Sequence, residues 1–359
     1  MSDKQITPFQ LTDQFTMDNF NQRINETNIA LQSKPNPNLL DNWYFSNPVD
    51  QRGGYVYPPN SPYADRNGNQ IGMTSQYLTI DKSKKSPFSD DWAEISIDGT
   101  TYYGYITYAV RGYAGAGYGI DRWIANNPYT VLIKDGYLQL ISGVQNGFYS
   151  QPLDGIFAKL SGKTVTMSVL AEVISGEAYL NVIDGNSVLK KITNGLTSVT
   201  KTIISAPTED RAVIYATEGA VINVYAAKLE LGTTQTLAHQ ENGNWVLNEI
   251  PDYGEQLRRC QMYRMQYGLH AQWVATQVQT DYIDFSIYLP VSMRKAPSIE
   301  GASYLRVYNQ VGNVSADDFT FSVVAFSGNN VRVRAVKTNH GYTSAVLEAA
   351  GAVAFVDEL

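Results

Sequence analysis

Cysteine is almost missing from this chain of 359 residues: Cys260 stands alone. That excludes an intrachain disulfide framework and leaves no thiolate cluster for zinc. A lone thiol of this kind reads as a buried side chain on a helix. Histidine is nearly as scarce. His239, His270 and His340 are scattered, with no ligand spacing such as H-E-x-x-H, and read as surface or turn residues. Charge is sparse as well, at 17% of residues, below the usual quarter. The net charge of −7 argues against nucleic acid as the main partner, because phosphate binding needs basic faces. The one like-charged cluster, "DKSKK" at Asp81–Lys85, is too short for a basic patch and reads as a solvated loop. No apolar run approaches the ~18 residues of a membrane span, and MSDKQITPFQ lacks the pattern of a signal peptide. The expectation is a soluble protein without membrane insertion, made in a cytoplasm and placed outside a cell only by particle assembly or lysis.

Catalytic signatures are equally thin. No G-x-S-x-G elbow is present, and no Cys–His nucleophile pair stands out. The glycine-rich "GYAGAGYGIDRW" fails as a phosphate loop, because Ile120 stands where the third glycine of G-x-G-x-x-G belongs and no helix pattern follows. It reads as a flexible loop running into a strand that buries Ile120 and Trp123. Glycan-cleaving chemistry needs two carboxylates at a set separation. The adjacent pairs Asp90–Asp91 and Asp317–Asp318 would point to opposite faces of a strand. No enzyme, cofactor or metal site is expected, and no ligand run marks a calcium.

Tyrosine is what the chain has in quantity, 25 residues against 12 Phe and 5 Trp. Tyr suits strands and also polar surfaces on which rings stack. Two clusters stand out: Tyr55, Tyr57 and Tyr63, then Tyr102, Tyr103, Tyr105, Tyr108 and Tyr113. Sugar rings stack their C–H faces on such planes while amides and carboxylates bind hydroxyls, so these eight are the candidate glycan contacts. The alternative reading has them line strand faces and pack a sandwich.

One helix pattern opens the chain. Thr16 can cap it, Asp18 favours its dipole, and Met17, Phe20, Ile24, Thr27 and Leu31 form an a/d seam of about two heptads. That seam serves either self-association as a stalk or docking on its own domain, since two heptads are too few to stand alone. "KPNPN" at 34–38 stops the helix. Thereafter the pattern is β. In "KTVTMSVLAEV", Val165, Met167, Val169, Ala171 and Val173 alternate with polar neighbours, and in "DYIDFSIYLPV" Ile283, Phe285, Ile287 and Leu289 do so. Dipeptides such as Asp135-Gly136, Asp184-Gly185 and Asn194-Gly195 punctuate the strands. "NLLDNWYF" is expected to pair into the first sheet, with Leu40, Trp43 and Phe45 as packing residues. A polar stretch near 232–254 and a helix in "YGEQLRRCQMYRMQY", with Leu257, Cys260, Tyr263 and Tyr267 on one face, precede a second β set.

Taken in chain order, "NLLDNWYFSNPVDQRGG", "GAGYGIDRW", "LSGKTVTMSVLAEV", "AAKLELG", "YGEQLRRCQMY" and "LPVSMRKAP" resemble tail-fibre and receptor-binding proteins of phages and prophages of gut bacteria. The opening helix and the closing "FVDEL" are also similar to theirs. The first sandwich alone is similar to jelly-roll carbohydrate-binding modules. The resemblance implies a mainly β chain of four parts: a helical oligomerisation or attachment segment at 1–35, a jelly-roll sandwich at 36–235, a linker at 236–253, and a smaller β-sandwich domain at 254–359. It further implies a virion component in the phage tail, a non-enzymatic homotrimer that contacts other tail or baseplate proteins and recognises host cell-surface polysaccharide. A baseplate or fibre connector, a capsule depolymerase and a secreted carbohydrate-binding module are the rival readings. One departure is the Tyr-rich insertion at about 54–119, a segment often short in relatives, which is expected to be the recognition surface, with a trimer contact or a decorative hairpin as the other readings.

Overall fold

Alternating apolar residues between Gly and Asn turns leave the chain little choice but to pair strands, and the computed structural model is mainly β and antiparallel. It describes residues 36–53, 55–56, 80–85, 92–97, 100–105, 110–143, 147–309, 315–316 and 318–357. The stalk residues Met17, Phe20, Ile24, Thr27 and Leu31 lie outside these, as does much of the insertion.

The first strands are Tyr55–Val56 (β1), Ile80–Lys85 (β2), Trp92–Ile97 (β3), Thr100–Tyr105 (β4) and Val110–Tyr118 (β5). The chain then runs through Ile124–Lys134 (β6), Tyr137–Ser142 (β7), Gly147–Pro152 (β8), a single helical turn at Ile156–Lys159 (α1) and Thr164–Ser175 (β9). Ala178–Ile183 (β10), Ser187–Lys191 (β11), Gly195–Thr202 (β12), Arg211–Ala216 (β13) and Val221–Leu231 (β14) complete the first unit. Among the described residues, β2, β3 and β4 form a sheet of their own. The main sheet runs β11-β10-β13-β8-β6-β7-β14-β9-β12, with β5 on the other edge of β6 and β1 on β5. β6 is the corner. Its first residues, Ile124 and Ala125, pair with β8, whereas Tyr129–Lys134 pair with β7. The switch falls at Asn127-Pro128, where proline has no N–H to lose from a ladder. The end strands β11 and β12 return into contact, so the sheet curls into a barrel-like sandwich.

Its core holds Leu40, Phe45, Trp123, Tyr149, Met167, Leu180 and Ile222. Trp123 stacks on Tyr149 at 5.5 Å and meets Phe45 edge-on at 5.0 Å. Ile120 and Trp123 are fully buried.

Several expectations change. "NLLDNWYF" buries Leu40, Trp43 and Phe45 but is no strand; it is a strap along β14, tied by Leu39 N to Leu229 O (2.8 Å) and Ala227 N to Trp43 O (3.0 Å). Asn42 breaks the extended run: it adopts φ 50° and its side chain bridges to both the N–H and the C=O of Val49. "GYAGAGY" is strand β5 and not a loop. At Gly112 a Cβ would sit 2.2 Å from Val131 O, so glycine serves close strand approach there. The segment 236–253 carries a hairpin, Ala238–Glu241 (β15) with Asn244–Leu247 (β16), and buries Leu237 and Ala238 in the first core. It is a cover on the sandwich and not a free linker. β9 is buried on both faces in its middle, where Thr166 Oγ1 donates at 2.8 Å to Gly232 O in the turn after β14.

The second unit begins with Tyr253–Gln261 (α2), capped by Asp252, whose Oδ1 accepts from Glu255 N at 2.9 Å. The helix buries Gln256 and Cys260 and ends before Tyr263, so Tyr263 and Tyr267 do not share its face. Strands follow at Arg264–Tyr267 (β17), Gln272–Val278 (β18), Tyr282–Tyr288 (β19), Ser298–Glu300 (β20), Leu305–Tyr308 (β21), Ser315–Ala316 (β22), Thr320–Ser327 (β23), Asn330–Val336 (β24), Val346–Ala349 (β25) and Val353–Val356 (β26). Among the described residues they form two sheets, β22-β21-β25-β18-β19-β24-β23 and β17-β26-β20, around a core that includes Phe285, Val333, Leu347 and Phe355.

Candidate functional site

Of the eight tyrosines expected to contact glycan, Tyr113 has a described side chain. Tyr57, Tyr63 and Tyr108 lie outside the described residues; Tyr55 falls in β1, and Tyr102, Tyr103 and Tyr105 fall in β4. Tyr113 is half-buried and its hydroxyl donates to Asp50, which also takes Arg111 Nη2 at 2.7 Å. That ring ties β5 to the segment that follows the strap. Among the described residues, no group of three or more His, Cys, Asp or Glu is placed to hold a metal. His239 Nδ1 pairs with Asn248 Oδ1 at 2.6 Å, and His270 Nδ1 with Glu348 Oε1 at 3.0 Å.

Two arrangements emerge from the fold. The first is a charged seam between the sandwiches. Asp41 Oδ1 binds Arg259 Nη2 of α2 at 2.6 Å, and Asp154 Oδ2 binds Arg294 Nη1 at 2.8 Å. Gln51 Nε2 donates to both Asp121 Oδ2 and Arg264 O at 2.7 Å. At the centre the Arg122 guanidinium lies 3.4 Å from the centroid of Tyr263, and Arg294 lies 4.6 Å from the same ring. Arg122 is buried with Asp154 at 2.6 Å and Asp41 at 3.3 Å. Burial alone lowers its pKa, but Tyr263, Asp41 and Asp154 outweigh that and raise it, so the buried cation stays charged. Asn42, Arg122 and Asp154 all adopt positive φ, between 50° and 70°; Asn and Asp enter that region readily, whereas Arg122 is held there by its surroundings. Burial pushes the Tyr263 hydroxyl up in pKa, against the pull of Arg122.

The second arrangement is a hollow of about 400 Å3 on the outer face of the larger C-terminal sheet. Alternation sends Ile283, Phe285 and Ile287 of β19 into the core and Tyr282, Asp284, Ser286 and Tyr288 outward. On β24, Val331, Val333 and Ala335 point in, leaving Asn330, Arg332 and Arg334 outward. Register sets Asp284 opposite Arg334, Ser286 opposite Arg332 and Tyr288 opposite Asn330. The flanking strands β18 and β23 each carry a register shift, at Ala275/Gln277 and Val323/Ala325, which bends them around the central pair. Thr276, Gln277, Asp284, Ser286, Asn330 and Arg332 line the resulting hollow, together with residues of β23.

Its electrostatics are asymmetric. Arg334 clamps Asp284 through Nε to Oδ1 (2.7 Å) and Nη2 to Oδ2 (2.9 Å), and its guanidinium lies 3.8 Å from the centroid of Tyr282. Those bonds to Asp284 hold the Arg334 pKa above the ordinary guanidinium value. Arg332 Nη1 comes only to 3.9 Å of Asp284, beyond hydrogen-bond reach, and its side chain is 46% exposed. Tyr288, one outward step past Ser286, is 71% exposed. The surface therefore offers one guanidinium that holds Asp284 only at the 3.9 Å range of a loose ion pair, several amides and hydroxyls, and an open ring. Alternation made this outward row legible in sequence; its assembly into a hollow needed the cross-strand register, which lies beyond local pattern.

No family model and no curated protein sequence matches the chain. Among solved structures it is similar to the N-terminal CBM22-1–CBM22-2 tandem domain of Paenibacillus barcinonensis Xyn10C, at 12% identity over 69% of this chain and 95% of that one, with a TM-score of 0.24. The agarase AgWH50C shows 7% identity over 60% of this chain and 45% of its own, with a TM-score of 0.25. The glycoside hydrolase domain of Endo-D (Spr0440) from Streptococcus pneumoniae R6 shows 10% identity over 74% and 40%, with a TM-score of 0.21. Superpositions at TM-scores of 0.21 to 0.25 carry no argument about this chain, so its site is read from its own geometry.

Proposed function

We propose that the chain is a non-enzymatic glycan-recognition subunit of the tail-fibre type, a homotrimer joined through the seam of Met17, Phe20, Ile24, Thr27 and Leu31, with jelly-roll and terminal β domains as its head. The observation that carries the recognition reading is the solvent-facing hollow on β19 and β24, where hydroxyl, amide and guanidinium donors stand beside exposed Tyr288. Such convergence of a few polar groups with an apolar plane suits a saccharide. Among the described residues Asp284 is the one carboxylate lining the hollow, and both its oxygens are engaged by Arg334, which favours binding over acid–base hydrolysis. The sequence resemblance supports placement in a phage tail, with other tail or baseplate proteins as neighbours. Trimerisation raises weak sugar contacts by ~10²–10⁴ in avidity.

The test is a glycan array probed with the intact chain, alongside light scattering. Expected are a mass of three chains, saccharide capture, and capture cut about tenfold or more by Tyr288→Ala, the loss of one stacking contact per head multiplied over three. Phe20→Asp with Ile24→Asp should give monomers and lose the avidity. Binding to a particle protein with no saccharide capture would favour the connector role instead.

A further inference from the structure

We infer that the hollow on β19 and β24 takes an acidic saccharide, with the Arg332 guanidinium receiving the sugar carboxylate. This deepens, and rests on, the glycan reading of the same hollow. Asp284 and Arg334 neutralise each other through two short bonds, and Tyr282 holds Arg334 in that pose from its other side. Both carboxylate oxygens are thus committed, so Arg332 is left at 3.9 Å with no hydrogen-bond partner among the described residues. Among the described residues one guanidinium is in excess over the single carboxylate of the hollow.

Its planar fork of donors matches a carboxylate in two parallel bonds, a geometry a neutral hydroxyl cannot reciprocate. Ser286 stands directly across from Arg332, Asn330 is the next outward residue on β24, and Gln277 lies across β19 opposite Asp284, all able to receive ring hydroxyls. Tyr288 then offers a plane for the next sugar. The net charge of −7 does not oppose this. At physiological ionic strength charges beyond about 8 Å are largely screened, so the local excess of Arg332 decides.

The experiment uses the intact chain and a panel of uronate- and sialate-bearing polysaccharides, each in native form and after reduction of its carboxyls to primary alcohols. Neutral dextran and mannan and dextran sulfate complete the set. Expected is binding to at least one native acidic polysaccharide, lost on carboxyl reduction. Arg332→Gln should weaken the native interaction about 10- to 100-fold, the effect of one charge-assisted hydrogen-bond pair, and leave unfolding unchanged. Binding that survives carboxyl reduction, or an Arg332→Gln variant with undiminished binding, overturns the inference. Capture of neutral glycans alone overturns it while leaving glycan recognition intact. Equal capture of dextran sulfate overturns the assignment to a carboxylate. Capture of no saccharide removes the glycan reading and this inference together.

Discussion

Lys201 shows how a single residue is committed by its surroundings. Its ammonium is almost fully buried, 2.7 Å from Asp184 Oδ1, and donates to Val182 O at 3.0 Å and to Asn186 O. Asp184 also accepts from the backbone N–H groups of Asn186 and Ile204. Burial on its own would raise the Asp184 pKa, but Lys201 and those N–H groups hold it below the ordinary carboxylate value. Asp184→Asn leaves a buried cation without its counter-charge, and should cost about 3–5 kcal/mol in urea unfolding at pH 7. The sign of the pH dependence follows from the lowered folded pKa. The stabilisation is full above the unfolded value near about pH 3.9 and fades as pH falls through the lower folded one. The gap between wild type and variant should therefore stay constant from pH 7 to 5 and close only below pH 4. A gap that persists unchanged to pH 2.5 would show that the ion pair is not its source.

Among elements, the β15–β16 hairpin changes the meaning of the strand beneath it. Lys228 and Glu230 sit on the outer face of β14 and would be solvent-facing on a bare sandwich, yet both side chains are fully buried. The segment supplies their partners. Thr236 donates through N and Oγ1 to the two Glu230 oxygens at 2.6 and 2.5 Å, and Glu249 Oε1 lies 3.2 Å from Lys228 Nζ. Leu237 anchors the cover in the first core. Leu237→Ala should cost about 2–5 kcal/mol and loosen the lid first. Hydrogen exchange would then rise across residues 235–249 ahead of β9 and β14. Equal protection of the hairpin in both proteins would contradict its role as a lid held by Leu237.

At the scale of the molecule, the seam decides whether the two sandwiches act as one body. Four of the six stretches that resemble tail-fibre proteins meet there, through Asp41 and Gln51, Asp121 and Arg122, Arg259 and Tyr263, and Arg294. What their resemblance carries is thus a joint and not a ligand site. Tyr263 bridges Arg122 and Arg294, so Tyr263→Ala removes two cation–π contacts worth about 0.5–2 kcal/mol each. Calorimetry should then resolve separate transitions for the two units. A variant melting in one transition with the wild-type midpoint would show that the remaining ion pairs suffice.

Local pattern alone determined the β character, the inward residues of β9 and β19, and the burial of Ile120, Trp123 and Cys260, since alternation and turn chemistry act between near neighbours. Tertiary structure decided the rest. "NLLDNWYF" carries a strand-like composition, yet the Asn42 side chain closing on Val49 makes it a strap. The glycines of "GYAGAGY" suggest looseness until Gly112 meets Val131 O across a strand. Tyr113 belongs to a tyrosine cluster in sequence, yet its hydroxyl goes to Asp50, 63 residues away along the chain. Arg332, Arg334 and Asp284 become a site only when β24 pairs with β19 in one register, and a shift of β24 by one residue would send both arginines to the face opposite Asp284. Register is fixed by the whole buried face at once, through residues far apart along the chain, and that is why the sequence supplied the strands while packing supplied the hollow and the seam.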